Sequence, residues 1–292
     1  MKRIHEKTNS LLIVLVAYIA ALLIVYLAYP FLAHLHPVAI AAILDVIGTV
    51  VIFIFSMAFN NSSIYDPYWS VAPIPIALFW MYTGSIPPSP IAWIILGLIC
   101  FWGFRLTINW TRRWHGLQDE DWRYVDFRKK FPGMYWLISF LGIHLFPTIL
   151  VFLGCIAVYP ALINHGNAFS LNEILAIVVT LGAIFIEWTS DEQLKSFLRK
   201  RKNKDEFLTT GLWKLSRHPN YFGEVTFWIG LSVFSYEKSL FEWWVLIGPI
   251  AMILLFAFIS VPMIDKRMGI RKPGYKDYIK RSSGLILWFP KK

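Results

Sequence analysis

Long runs of apolar residues dominate this sequence and predict its fold class. The five longest runs together hold only two charged residues, Asp45 and Glu242. Most of them approach the roughly 20 residues that a helix needs to cross the ~30 Å hydrocarbon core of a bilayer. The long runs are residues 11–29, 38–59, 91–104, 134–162 and 241–263, and three shorter ones are 71–82, 174–188 and 222–234.

These runs are interpreted as transmembrane helices. Backbone groups in a bilayer core find no water, so a spanning segment must be a helix or part of a closed barrel. Barrel strands alternate between polar and apolar residues, whereas these runs are apolar on every face. The predicted fold is therefore all-α: a polytopic transmembrane helix bundle of about 7–8 spans in a single membrane domain, residues 1–292.

The distribution of basic residues predicts the orientation. The chain has 28 Lys and Arg against 18 Asp and Glu, a net charge of +10. Basic loops stay in the cytoplasm, so both termini are predicted to be cytoplasmic, in a bacterial inner membrane. Because the charge is divided among loops next to the membrane, it favours contact with anionic lipid over nucleic acid. The basic clusters are residues 2–7, 112–130, 195–204 and 266–292, and the connections with one Lys or none are 34–37, 84–90, 163–173 and 235–242.

The strongest candidate for chemistry lies just before the apolar run 222–234. Asn220 and Glu224 are four residues apart and share one helix face, with the ring of Tyr221 beside them. Arg217 and His218 precede a predicted helix N-terminus, which attracts phosphate. The alternative is an interfacial segment in which these side chains reach for the polar headgroups. Both interpretations stay open on the residues alone.

Two further polar pairs lie at the ends of predicted spans. Glu187 and Asp191 share a face, and their like charges call for a cationic or hydroxyl-rich partner, either a nucleotide or a nearby Arg. Arg105 and Asn109 share another face, where Arg105 is expected to reach the surface, bind a pyrophosphate or pair with Glu187. The sequence shows no metal-binding pattern and no glycine-rich nucleotide loop.

Other polar residues are more isolated along the chain. Tyr65 and Asp66 lie at a predicted turn between the second and third spans, where Asp66 also suits a helix cap. Asp45 and His144 are lone titratable groups within apolar runs, and His144 is expected to form an interhelical hydrogen bond. The basic, aromatic tail is expected to lie in the interface or to close over a cytoplasmic pocket.

Several motifs resemble the steroid 5-alpha-reductase superfamily, in particular its bacterial branch described as a domain of unknown function. Residues 216–224 (SRHPNYFGE), 271–278 (RKPGYKDY) and 287–290 (LWFP) carry the resemblance. It extends to 66–69, 105–109, 120–124 and 191–193, so it covers most of the chain from about residue 60. The RHPxYxG string also resembles isoprenylcysteine carboxyl methyltransferases, whereas the tail favours the reductase branch.

The resemblance implies a helix bundle that holds NADPH in a cytoplasmic-facing cavity and transfers hydride to a carbon–carbon double bond conjugated with a carbonyl. N-terminal spans cover 11–112, and the cofactor-binding part covers 134–292. The substrate is expected to be apolar and steroid- or isoprenoid-like, as in lipid metabolism. The residues that the resemblance and the motifs together assign to the cofactor are Arg105, Asn109, Glu187, Asp191, Arg217, His218, Asn220, Tyr221, Glu224, Tyr275 and Tyr278.

The resemblance departs from the family at the residues that activate the substrate. The family uses a Glu and a Tyr on earlier helices, and Trp102 stands at the position of the Tyr. The nearest polar substitutes for the Glu are Asp66 and Tyr65, which become the candidate catalytic residues. Two other functions are kept: an S-adenosylmethionine-dependent methyltransferase, and a non-enzymatic membrane protein on the same fold. The oligomeric state is left without a prediction.

Overall fold

The structure is a computed structural model that describes residues 2–83, 87–163, 170–236 and 243–290. Within these ranges it is helical, apart from loops and one isolated bridge between Ser216 and Ser283. The α-helices are α1 (Lys2–Leu32), α2 (Pro37–Ala58), α3 (Tyr68–Val71), α4 (Pro73–Met81), α5 (Pro90–Arg113), α6 (Trp122–Lys130), α7 (Tyr135–Ile138), α8 (Phe146–Ile156), α9 (Tyr159–Ile163), α10 (Leu171–Lys200), α11 (Leu212–Leu215), α12 (Pro219–Val233), α13 (Ile247–Leu254), α14 (Val261–Arg271) and α15 (Tyr275–Arg281).

The predicted all-α membrane fold is confirmed. Among the described residues, six helical segments are long and apolar enough to cross a membrane. The short runs 71–82 and 222–234 correspond to α4 and α12, which have 9 and 15 residues, so the total of about eight spans stays a prediction. Connections 84–90, 163–173 and 235–242 lie partly outside the described residues. The six segments are Glu6–Leu32, Pro37–Ala58, Pro90–Arg113, Pro132–Ile156, Leu171–Lys200 and Trp243–Arg271.

Two spans contain a turn of π-helix, and in both a proline follows closely. One π-helix covers Ser139–Leu145 and is followed by Pro147; the other covers Leu255–Ser260 and is followed by Pro262. Proline lacks an N–H group, and its ring clashes with the carbonyl four residues earlier. We attribute the wider turn before each proline to that lost hydrogen bond. Such π segments are frequent at functional sites.

The chain divides into two compact units, Met1–His165 and Gly166–Lys292. In the first unit, α1 packs on α2 through small residues: Ala17 and Ala21 belong to one buried cluster with Val51 and Ile52. Small residues let helix backbones approach closely in a membrane. The prediction of a single membrane domain over residues 1–292 stays a prediction.

In the second unit, α10 and α12 pack closely at two glycines. A Cβ atom on Gly223 would lie 2.9 Å from the carbonyl oxygen of Ala183 and 2.8 Å from Cβ of Glu187. Gly230, two turns further along α12, lies in the same way against Thr180. Because a larger residue would push the helices apart, these glycines fix the position of the first turns of α12, which carry Asn220 and Glu224.

Candidate functional site

In the second unit, a buried carboxylate on α14 organises the Arg217–His218 motif. Nε and Nη2 of Arg217 donate to Oδ2 of Asp265 at 3.0 and 2.8 Å. Nε2 of His218 lies 3.0 Å from Oδ1 of the same carboxylate. All three residues are buried, so the two basic side chains supply the compensation that a buried carboxylate requires. We call this group, with Tyr275, the Asp265 hub.

The C-terminal tail closes over the same hub. The Tyr275 hydroxyl donates to Oδ1 of Asp265 at 3.0 Å. The backbone N–H of Arg217 donates to the carbonyl of Ser283 at 2.9 Å, and its guanidinium also donates to the carbonyls of Ile279 and Ser282. Burial and the adjacent Asp265 charge raise the pKa of Tyr275 above its usual value. The tail is therefore packed against the hub, and its closure over a cytoplasmic pocket stays a prediction.

The tyrosines of the predicted cofactor set pack inside the second unit. The ring of Tyr221 stacks on His218, with centroids 5.4 Å apart, and also contacts Phe256. The Tyr278 hydroxyl donates to the carbonyl of Trp213, and burial raises the pKa of Tyr278 to about 12. These contacts give each ring a packing role, and cofactor binding by Tyr221, Tyr275 and Tyr278 stays a prediction.

Asn220 and Glu224 lie on one face of α12, as their spacing predicted. Oε1 of the buried Glu224 accepts a hydrogen bond from Nε1 of Trp228 at 2.8 Å, within the same helix. Oδ1 of Asn220 is buried and has no hydrogen-bond partner among the described residues. A buried acceptor without a partner costs about 1–3 kcal/mol, so Asn220 is a candidate binding residue.

The predicted pair on α10 lies beside this face. Glu187 is buried at the glycine contact of α12, and Asp191 lies half-buried one turn later. The following turn of α10 anchors α11: Oε1 of Gln193 accepts from the backbone N–H of Leu212 at 3.0 Å. Gly211, the residue before Leu212, has a φ of +62°. A Cβ atom at Gly211 would collide with the side chain of Gln193. Glycine adopts this positive φ without the strain that a side chain would cause.

In the first unit, the carboxyl group of Asp45 lies inside a membrane-spanning helix and pairs with a tyrosine. The Tyr68 hydroxyl donates to Oδ1 of Asp45 at 2.9 Å. Asp45 is 6% exposed, and its Oδ2 has no hydrogen-bond partner among the described residues. The Tyr68 hydroxyl packs against Gly48 of α2. A Cβ atom built on Gly48 would lie 2.5 Å from that hydroxyl, so a side chain there would clash with it. No local pattern joins Asp45 to Tyr68, which are 23 residues apart.

A row of buried side chains extends from the loop before α6 into the fourth long span. The Tyr135 hydroxyl lies 3.1 Å from Oε1 of Glu120 and 2.7 Å from Oγ of Ser62. Oγ of Ser62 lies 2.9 Å from Oγ of Ser139, which lies 3.5 Å from Nδ1 of His144. We call these five residues the polar ladder. His144 is thus hydrogen-bonded, as the sequence predicted, but within a larger network.

The remaining predicted residues of the first unit lie near this network. Tyr65 shares a hydrogen bond of 2.8 Å with Thr148, which donates to the carbonyl of His144. Oδ1 of Asp66 accepts from the Tyr124 hydroxyl at 2.7 Å, and burial, helped by the charge of Asp121, raises the pKa of Asp66 to about 6. A catalytic role for Tyr65 and Asp66 stays a prediction.

The α5 residues of the predicted cofactor set share one helix face, as their spacing required. Arg105 is buried and Asn109 is half-buried one turn later. Trp102, at the position of the family tyrosine, is fully buried and makes an edge-to-face contact with Trp69. An indole at this position fills the interior and offers no hydroxyl group.

The comparisons with known proteins give a family without an activity. The family model described as "Protein of unknown function (DUF1295)" matches residues 52–282. An uncharacterized protein of Schizosaccharomyces pombe is 25% identical over 239 residues, which cover 73% of this chain and 69% of the relative. No solved structure matches the chain. The matched range contains the Asp265 hub and the whole polar ladder.

Proposed function

The chain belongs to the DUF1295 family, and we propose that it is a membrane-embedded, NADPH-dependent reductase of a carbon–carbon double bond conjugated with a carbonyl. Steroid 5-alpha-reductase-like families are associated with DUF1295, in agreement with the motif resemblance. The observation that carries the proposal is the buried Oδ1 of Asn220, which has no hydrogen-bond partner in the described part of the chain. An apolar substrate suits this proposal, because such a molecule can reach a site among apolar membrane helices from the bilayer.

The residues of the second unit fit a nicotinamide at the first turns of α12. Its carboxamide has N–H groups that match the free acceptor of Asn220 and the carboxylate of Glu224. Gly223 lies between these residues and keeps the helix close to α10. Arg217, His218 and Tyr275 are already held by Asp265, so their contribution is to fix the start of α12. The cofactor, when bound, supplies a hydride.

The residues of the first unit fit the activation of a carbonyl oxygen. Hydride addition to an enone places negative charge on that oxygen, and a donor aimed at it lowers the barrier. A neutral Asp45 carboxyl has such a donor on Oδ2, while Tyr68 holds Oδ1 at 2.9 Å. A bare carboxylate at that depth would cost several kcal/mol. We therefore prefer Asp45 and Tyr68 over Asp66 and Tyr65 for this role.

Ligand-dependent melting of the purified protein tests the proposal. In detergent, we expect NADPH to raise the melting temperature and to be consumed when an apolar enone is added. NADH should stabilise less, because the 2′-phosphate of NADPH finds cationic partners in the basic loops. Stabilisation by S-adenosylmethionine instead would favour the methyltransferase, and no response to either cofactor would favour a non-enzymatic protein.

A further inference from the structure

The polar ladder in the first unit is an unbroken series of groups that can each donate and accept a proton. It begins at Glu120, whose side chain is 12% exposed, and ends at the fully buried ring of His144. Ser62, Ser139 and Tyr135 lie between them, each at most 2% exposed. No apolar side chain interrupts the sequence of hydrogen bonds Glu120–Tyr135–Ser62–Ser139–His144, of 3.1, 2.7, 2.9 and 3.5 Å.

Both nitrogens of the His144 ring have hydrogen-bond partners. Nδ1 lies 2.9 Å from the carbonyl oxygen of Ser139 and 3.5 Å from its hydroxyl, so it finds an acceptor when protonated and a donor when not. Nε2 lies 3.0 Å from Oγ of Ser56, which is also 3.0 Å from the carbonyl of Ile52. That hydroxyl donates to Nε2 in one state and turns to Ile52 in the other.

A purely structural histidine does not need this double provision. A single acceptor on Nδ1 and a single donor on Nε2 would fix one neutral tautomer. Here Ser139 supplies alternative partners at Nδ1 and Ser56 supplies them at Nε2, near the end of the π-helix Ser139–Leu145. The π turn brings the carbonyl and the hydroxyl of Ser139 to the same ring nitrogen five residues later.

The charged groups near the ladder lie at its outer end. Arg128 donates to both carboxylate oxygens of Glu120, and its guanidinium lies 3.8 Å from the ring centroid of Tyr135. The cation therefore lies close enough to stabilise negative charge on the Tyr135 side chain. Further along the span, the ring of Tyr65 packs on His144 at 4.8 Å and in turn stacks on Tyr68, the partner of Asp45.

We propose that the polar ladder carries protons between the aqueous surface at Glu120 and His144 inside the membrane span. Each hydroxyl passes its proton inward along one hydrogen bond and receives the next one from outside. Glu120 takes a proton from water, and a proton arrives at Nδ1 of His144. One proton moves and nothing is oxidised or reduced. The purpose of this transfer rests on the proposed function: reduction of a double bond needs one proton for each hydride, and the polar ladder supplies that proton.

Proton exchange at His144 can be measured without any substrate. The full chain, labelled with ¹⁵N-histidine in lipid nanodiscs, gives ring N–H exchange rates with water by NMR, and His144→Gln identifies the signal among the seven histidines. We expect Tyr135→Phe and Ser139→Ala to slow exchange at His144 by roughly 100-fold. Thr107→Val is the matched control, because it removes a hydroxyl bonded to Ser70 outside the ladder.

The outcomes separate this inference from the proposed function. Exchange that is equally fast in wild type, Tyr135→Phe and Thr107→Val would overturn the inference, whether or not NADPH is consumed. Exchange at His144 that is slow in wild type would overturn it as well. If the two ladder variants slow exchange while wild type shows no turnover with any enone, the ladder stands and the reductase proposal fails. Circular dichroism checks that each variant is folded.

Discussion

Arg217 and Asp265 form a buried ion pair in which two guanidinium nitrogens share one carboxylate oxygen, at 3.0 and 2.8 Å. The pair joins the motif before α12 to α14, 48 residues later in the chain. Through Arg217 it also holds the carbonyls of the C-terminal tail. The relationship explains why a motif of charged residues can sit inside an apolar bundle.

Asp265→Asn is expected to lower the free energy of unfolding by about 3 kcal/mol or more, because the charge of Arg217 would stay buried without compensation. Thermal melting in detergent measures the change. Asp277→Asn is the control: Asp277 pairs with Lys280 at 2.9 Å, but both side chains are more than half exposed, so its loss should not alter melting. Equal melting of the two variants would contradict a structural role for the hub.

Glu224→Gln is expected to leave folding largely intact and to weaken NADPH binding by about 1–3 kcal/mol. The amide oxygen of Gln can still accept the Trp228 hydrogen bond, which is 2.8 Å in the wild type, whereas the charge that strengthens a bond to the carboxamide is lost. Melting with and without NADPH separates the two effects. A variant that melts far below wild type without cofactor, yet gains as much from NADPH, would refute the binding role.

Asn220→Leu is expected to keep or raise the stability of the cofactor-free protein, because it removes a buried oxygen that has no partner among the described residues. The stabilisation by NADPH should fall by about 1–3 kcal/mol. Asn61→Leu gives the opposite control, since the Asn61 side chain makes hydrogen bonds to Leu117, Asp119 and Ser63. Asn61→Leu should destabilise the cofactor-free protein. If NADPH stabilises Asn220→Leu as much as wild type, Asn220 does not contact the cofactor.

Asp66 is expected to make stability fall between about pH 4 and pH 6. Burial raises its pKa from 3.8 to about 6 in the folded protein, so across that range the folded state binds more protons than the unfolded state. Linkage then lowers the free energy of unfolding as pH rises, by about 1–3 kcal/mol in total. Asp66→Asn removes this pH dependence. The melting temperature of the variant should therefore rise relative to that of wild type between pH 4 and pH 7. A difference that is constant with pH would disprove it.

The positions of the basic clusters predict that residues 163–173 face away from the cytoplasm. Alkaline phosphatase fused within this connection should be active, because the enzyme folds only outside the cytoplasm. A fusion within the basic loop 112–130 should be inactive and serves as the control. An inactive fusion at 163–173 beside an inactive fusion at 112–130 would refute the eight-span topology.

The sequence by itself determined the membrane-spanning helices. Helix hydrogen bonds are local and a bilayer selects for length and apolarity, so runs such as 11–29 and 38–59 need no information about neighbours. The pairing of Asn220 with Glu224 on one face followed from helical spacing in the same way. The two π-helices went unpredicted, although Pro147 and Pro262 were visible signals.

Only the tertiary structure decided which polar residues meet. The sequence did not identify Asp265 as the partner of Arg217 and His218, which lie more than 40 residues earlier. The available signal was a carboxylate just after the apolar run 241–263. Asp45 and His144 looked isolated because their partners Tyr68 and Ser56 lie far away in sequence. A hydrogen bond depends on side chains that converge within about 3 Å, and helix packing, which no local pattern encodes, sets that convergence.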